Sequence, residues 1–309
     1  MPSKPKRRPA PAPPEPLLVH PAWILKGFAF LVGVALLGGY LTFCWLFYQG
    51  QWQLLMHPQR STQVPPQIDG SPVRLVRLEP DEAGIPQLTA WSIPPTVGAR
   101  YRQYTAVVLP AADGSLATQQ ALLDALHRLG FGVFAIDYRG FGQSAEGHPS
   151  SARMHADAEA AVRYLIGERH LPDSLLVPVG DGLGASLAVH LAASHPAMPA
   201  IMLIDPAGDT LDSVRHDPRT TLLPVRLLLQ DPFPLASMLR TLTTPKLIVS
   251  FRDTTLPQSA RRDASAPKRT AELPGTAVES IDQPAFLTTV SAFADTYLTA
   301  APAELSTSR

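Results

Sequence analysis

The sequence predicts an α/β domain, a mostly parallel sheet with helices on both faces, carried behind one transmembrane helix. Three observations predict it. Apolar strand-like runs alternate with helical segments from residue 104 onward. Near the N-terminus, Gly27 to Tyr48 contains no charged residue. Between 175 and 192 come a short apolar run, a glycine-dense turn and an alanine-rich segment, the order of a sharp strand-to-helix turn.

Composition narrows the function. Charge is balanced, 26 Lys+Arg against 26 Asp+Glu, so bulk charge points to no nucleic acid and no acidic substrate. Cys44 is the one cysteine, which excludes an intrachain disulfide. No P-loop, Cys/His metal spacing or dinucleotide fingerprint occurs, so no cofactor and no metal are expected.

Residues 1–22 are proline-rich and basic (Lys4, Lys6, Arg7, Arg8), too poor in apolar residues to pack, and read as a disordered tail. Residues 23–49 read as a signal-anchor helix. The uncharged core spans about 33 Å at ~1.5 Å per residue, enough for a hydrocarbon layer of ~30 Å. Trp23, Tyr40, Trp45 and Tyr48 include residues suited to the two interfaces. A buried core helix rarely starts behind a basic tail. The run is long for a signal peptide, and Phe47-Tyr48-Gln49 offers no small-residue cleavage site. Phe43 before Cys44 argues against a lipoprotein. The cations before the helix, against Arg60 as the first charge after it, place the N-terminus in the cytoplasm and the domain on the extracytoplasmic side of the cell membrane.

The domain occupies residues 50–300, with 301–309 as a tail. Gln51–Pro58 is an interfacial connector. Val73–Leu78 alternates as a half-buried strand, and Leu88–Ile93 is its hairpin partner. Tyr104–Leu109 is a buried strand. Gln119–Leu129 is a helix with Leu122, Leu126 and Leu129 on one face and Gly130 as its stop. Gly132–Asp137 is the next strand. Ser150 and Ser151 can cap a helix whose Ala158, Ala161, Val162 and Leu165 share a face. Ala200–Ile204 and Lys246–Ser250 are further apolar strands. The proline-punctuated stretch between them, about 207–244, reads as an irregular, cap-like insertion. Phe286, Val290, Phe293 and Tyr297 mark a closing helix.

The turn at 180–184 has the outer glycines of G-x-S-x-G, but Gly182 stands where the nucleophilic serine belongs. Asp181 is flanked by Gly180 and Gly182, and its own register would need glycines at Val179 and Leu183. Ser186 falls inside the following helix. Pro178 in the presumed central strand lacks a ladder donor.

Asp137-Tyr-Arg-Gly-Phe-Gly-Gln-Ser144, with Glu146-Gly147 and Pro149-Ser150, resembles the DYRGYGxSxGxPS stretch of membrane-anchored α/β-hydrolases. These are serine hydrolases of the ABHD12, ABHD13 and ABHD17 types and their bacterial relatives. The resemblance covers most of Gln51 to Ala300 and implies an α/β-hydrolase fold with a small cap. It also implies four catalytic parts: a serine, a histidine, a carboxylate that orients it, and backbone N–H groups that hold an oxyanion. The serine position is Gly182. The family's GxxDxxVP maps onto Ser250–Pro257 and puts the acid at Asp253, for which a simple turn aspartate is the competing reading. The histidine should follow the acid, yet the nine histidines end at His216. Around Gly275–Glu279, where it would fall, only Glu279 is even weakly suited to proton transfer. His148, His155, His190 and His195 read as surface or helix residues. The family's HGN oxyanion loop is Pro110-Ala111 here, and proline removes a donor.

These losses point to a pseudo-hydrolase in the membrane that binds a lipid-like ligand or a protein partner, with no nucleic acid. Two alternatives stay open: an esterase or thioesterase with a relocated nucleophile, and a structural subunit of an envelope complex.

Overall fold

The computed structural model describes residues 21–230, 232–253 and 259–299. The basic tail cations, the 301–309 tail and Thr254–Pro257 of the acid loop lie outside the described residues. Helix α1 runs Pro21–Gly50, slightly longer at both ends than the sequence pattern marks. It is long and apolar enough to cross a membrane. Phe28, Leu31, Leu36, Leu41 and Leu46 are all exposed, whereas a soluble surface helix confines its apolar residues to one stripe.

The remaining chain builds an eight-stranded sheet. Its strands are β1 (Arg74–Pro80), β2 (Pro86–Ile93), β3 (Thr105–Leu109), β4 (Gly132–Asp137), β5 (Leu176–Asp181), β6 (Ile201–Ile204), β7 (Lys246–Phe251) and β8 (Lys268–Leu273). The spatial order is β8-β7-β6-β5-β3-β4-β2-β1. The β1–β2 and β2–β4 pairs are antiparallel and the others parallel. β8 has no strand-like pattern in the sequence. Lys-Arg-Thr-Ala-Glu-Leu carries little apolar signal because this edge strand is mostly exposed. Pro178 does not interrupt β5. It lies opposite Val107 of β3, and the ladder to β6 begins one residue later at Val179.

Central strands are buried on both faces, so alternate residues feed two cores. Val107 and Leu109 of β3 join α3 (Ser151–Gly167) and α4 (Gly184–Ser194) on one side. Ala106 and Val108 join α2 (Gln120–Arg128) and the C-terminal helix (Pro284–Tyr297) on the other. In that C-terminal helix Phe286, Val290 and Phe293 are buried. Ser150 caps α3 by accepting from the Arg153 N–H.

Between β6 and β7 the chain forms short helices, α5 (Thr210–His216), α6 (Val225–Leu228) and α7 (Ala236–Thr241), where an irregular insertion was expected. Prolines explain the fragmentation: Pro218 starts a 3-10 turn and Pro224 immediately precedes α6. The insertion is anchored at Phe233, which is buried and whose N–H donates to Thr210 Oγ1 at 3.0 Å. Ser151 Oγ also donates to Pro232 O at 2.7 Å.

The loop after β4 fixes the ground on which the site stands. Asp137 accepts from the Leu116 N–H at 2.9 Å, and Ser144 Oγ donates to Asp137 O at 2.5 Å. Thr89 N–H donates to Ser144 Oγ at 2.9 Å. Arg139 binds Asp157 of α3 through Nε and Nη2, each at 2.7 Å, and the Arg139 N–H adds a bond at 2.9 Å. Tyr138 Oη reaches across to Pro110 O at 3.0 Å, holding the loop after β3 in place.

Candidate active site

β5 ends at Asp181, α4 begins at Gly184, and Gly182 between them has φ +54°. This is the sharp turn that the glycine spacing implied. The outer glycines allow helix and strand to close. A Cβ on Gly180 would lie 2.4 Å from Gly184 O, and one on Gly184 would lie 2.0 Å from Leu109 O. Gly182 holds the turn by its backbone: its N–H donates to Ile204 O at 3.0 Å, and its carbonyl accepts from Ala207 N–H at 3.1 Å. At the point where a nucleophile would project, a Cβ would stand 3.0 Å from Ala111 Cβ. Pro110 supplies no N–H, and its carbonyl is taken by Tyr138.

A cavity of about 400 Å³ opens over this turn. Leu55, Leu183, Ala207 and Val278 give it an apolar side; His57, Asp113, Thr118, Gln119, Asp181 and Asp205 give it a polar one. Burial raises the Asp181 carboxyl to about 7, and the negative charges of Asp113 and Asp205 add to the shift. Gln119 Nε2 donates to Asp181 Oδ2 at 3.1 Å and partly offsets it. Partial desolvation likewise raises Asp113, although its side chain is exposed; a backbone hydrogen bond and then His57 oppose that. Near neutral pH Asp181 is therefore divided between a donor and an acceptor.

The other sequence-derived positions do not meet here as a triad. Asp253 is exposed in the turn after β7, its N–H donating to Gly275 O at 3.2 Å. Glu279 closes a capping box: its carboxylate accepts from Thr276 N–H and Oγ1, both at 3.0 Å, which holds its pKa below the usual range. It is thus unfit as a base at neutral pH. Ser186 is buried in α4 and donates to Pro234 O at 3.4 Å. His190 and His195 both face Glu159, at 3.5 and 3.1 Å, His155 packs on His190, and His148 packs on Trp52; none of these lines the cavity.

The histidine that does line the cavity is His57, which lies in the segment that the sequence pattern marks as a connector. Residues 57–58 pair in parallel with Asp113–Gly114, and the His57 N–H donates to Ala112 O at 2.7 Å. A two-residue bridge across 56 positions leaves no periodic trace, so no local signal marks His57, Asp113 or Gln119 as neighbours. Thr118 brings a hydroxyl to the cavity, already committed to Ser115 O at 2.8 Å.

Sheet order, crossover helices and the turn after the central strand define an α/β-hydrolase fold. The chain belongs to the family described as serine aminopeptidase, S33, whose pattern matches residues 108–278. It is 32% identical over 196 residues to the Mycobacterium tuberculosis uncharacterized protein Rv2307c, covering 61% of this chain and 67% of that one. The Arabidopsis thaliana α/β hydrolase domain-containing protein WAV2 is 31% identical over 80 residues, 26% of each chain. Among solved structures, a Pyrococcus furiosus esterase, Pf2001, superimposes with a TM-score of 0.62 at 15% identity, over 79% of this chain and 97% of that one.

Proposed function

We propose that this protein is a membrane-tethered, non-catalytic α/β-hydrolase of the membrane-anchored group its Asp137–Ser150 stretch resembles, and that its cavity binds a small amphiphilic, lipid-like ligand without cleaving it. The observation that carries this reading is Gly182. The turn that should present a nucleophile presents a hydrogen atom, and Ala111 packs where the side chain would project. The base and acid positions support it: Glu279 is tied up as a helix cap, and Asp253 is exposed on a turn. The relocated-nucleophile alternative would fall to Thr118, whose hydroxyl is already donated to a backbone carbonyl.

The apolar and acidic sides of the cavity fit a ligand with a short chain and a head that is cationic or exchanges hydrogen bonds with Asp181. The tether is α1, a membrane-crossing signal anchor with the domain on the extracytoplasmic side. The test is a fluorophosphonate probe on the full-length protein in membranes, read by intact and peptide mass spectrometry. No adduct is expected on any serine or threonine. A stoichiometric adduct would overturn the non-catalytic reading.

A further inference from the structure

We propose that the insertion between β6 and β7 carries a headgroup site for anionic phospholipid, seated on the bilayer surface beside the end of α1. The proposal rests on α1 spanning the membrane, as read above. Gln51 is the residue that follows α1, and its side chain is buried. Its Nε2 donates to Leu228 O at 3.0 Å and to Tyr48 O at 2.9 Å; its Oε1 accepts from the Gln230 N–H at 2.7 Å. Gln230 Nε2 reaches Tyr48 O at 3.4 Å. This amide therefore clamps the C-terminal end of α6 to the residues that close the apolar helix. If Tyr48 lies at the interface, α6 lies at headgroup depth.

What α6 presents there fits that depth. Leu223 and Val225 are buried and hold the segment to the domain. Leu222 and Leu227 point outward, 78% and 85% exposed. Beside them a cleft of about 400 Å³ is lined by Arg215 and Arg226 together with Thr220 and Thr221. Both threonine hydroxyls are already donated to backbone carbonyls, so the arginines are the groups left to meet a phosphate. The acidic side chain nearest in sequence, Asp217, is engaged by Arg219 at 2.6 Å. Outward leucines at the level where a tether ends, next to an arginine-lined cleft, match an acyl–phosphate boundary.

The test uses the full chain in the Cys44→Ser background with an environment-sensitive fluorophore at Leu227→Cys. The protein is reconstituted into phosphatidylcholine vesicles, with or without phosphatidylglycerol, bearing nitroxide-labelled lipid. The expected result is nitroxide quenching that rises with phosphatidylglycerol. Arg226→Glu should lower the docked-to-undocked ratio roughly fivefold or more, the scale of one arginine at an anionic surface. Inorganic phosphate without lipid should leave the emission unchanged. No quenching while the chain resists alkaline extraction would overturn the headgroup site and leave the tether standing. Quenching indifferent to phosphatidylglycerol, or an equal response to free phosphate, would overturn it too. Release of the chain by alkali would remove the tether reading and this site with it.

Discussion

The loop Asp137–Ser144 and the turn Asp181–Leu183 both follow central strands, and both meet the segment Pro110–Ala111. The first reaches it through the Tyr138 hydroxyl, the second at Gly182, where an added side chain would meet the Ala111 methyl. In the first, the side chains of Asp137, Arg139 and Ser144 are all bonded within the fold. In the second, the position that should act carries no side chain at all. The contrast separates two uses of a family signature. Residues such as Asp137 and Ser144 are buried, so the fold itself depends on them. A nucleophile or an exposed acid contributes little to folding, and its replacement leaves the scaffold intact.

The sharpest way to break this contrast is to damage the framework. Asp157 is 1% exposed and holds Arg139 by side chain and backbone. Asp157→Ala should lower stability by about 3 kcal/mol, the low end for removing one partner of a buried pair, because Arg139 is partly exposed. Chemical denaturation of the full chain measures it; a loss below about 1 kcal/mol would mean that the loop is not the structural element described here.

At the turn the cost should be smaller. Gly182→Ser forces a side chain into positive φ and against Ala111, a strain of about 1–3 kcal/mol, and the variant should still fold. Asp181 gives a pH signature. Its folded pKa of about 7 lies above the unfolded value of 3.8, so the folded state holds the extra proton between them. Stability from this group therefore falls as pH rises from about 4 to about 7 and stays low above that. The effect should be on the order of 1–2 kcal/mol, discounted for the cavity's access to water. Asp181→Asn should flatten that slope in melting measured across the window. Asp253→Asn, at the exposed acid position, should change stability by less than about 0.5 kcal/mol.

Much of this organisation was legible from residues alone, for identifiable reasons. The central strands are continuous apolar runs because they are buried twice, and the α2 and α3 faces repeat at helical spacing because each packs on one core. The glycine spacing at 180–184 marked the turn because backbone closeness permits nothing larger at Gly180 and Gly184. What could not be read was assembled over long range. His57 reaches the cavity through a two-residue bridge to Asp113–Gly114, and Gln119 meets Asp181 across 62 positions. β8 escaped because an edge strand with exposed side chains lacks the alternation that marks a buried one. The short helices of the insertion escaped because prolines both fragment the segment and start its turns.

The central claim is that the missing side chain at Gly182 is part of a wider loss, with no base or oxyanion loop waiting to be used. The most direct measurement is short-chain ester hydrolysis by the full-length protein and by Gly182→Ser, with melting followed alongside to show that both are folded. On the proposed reading three of the four catalytic parts differ from the resembled family's, and such parts act as a unit. Both proteins should therefore show no turnover above the uncatalysed background. Robust hydrolysis by the serine variant would show that a working base and oxyanion hole already surround the turn, with His57 the first residue to examine, and would contradict the claim.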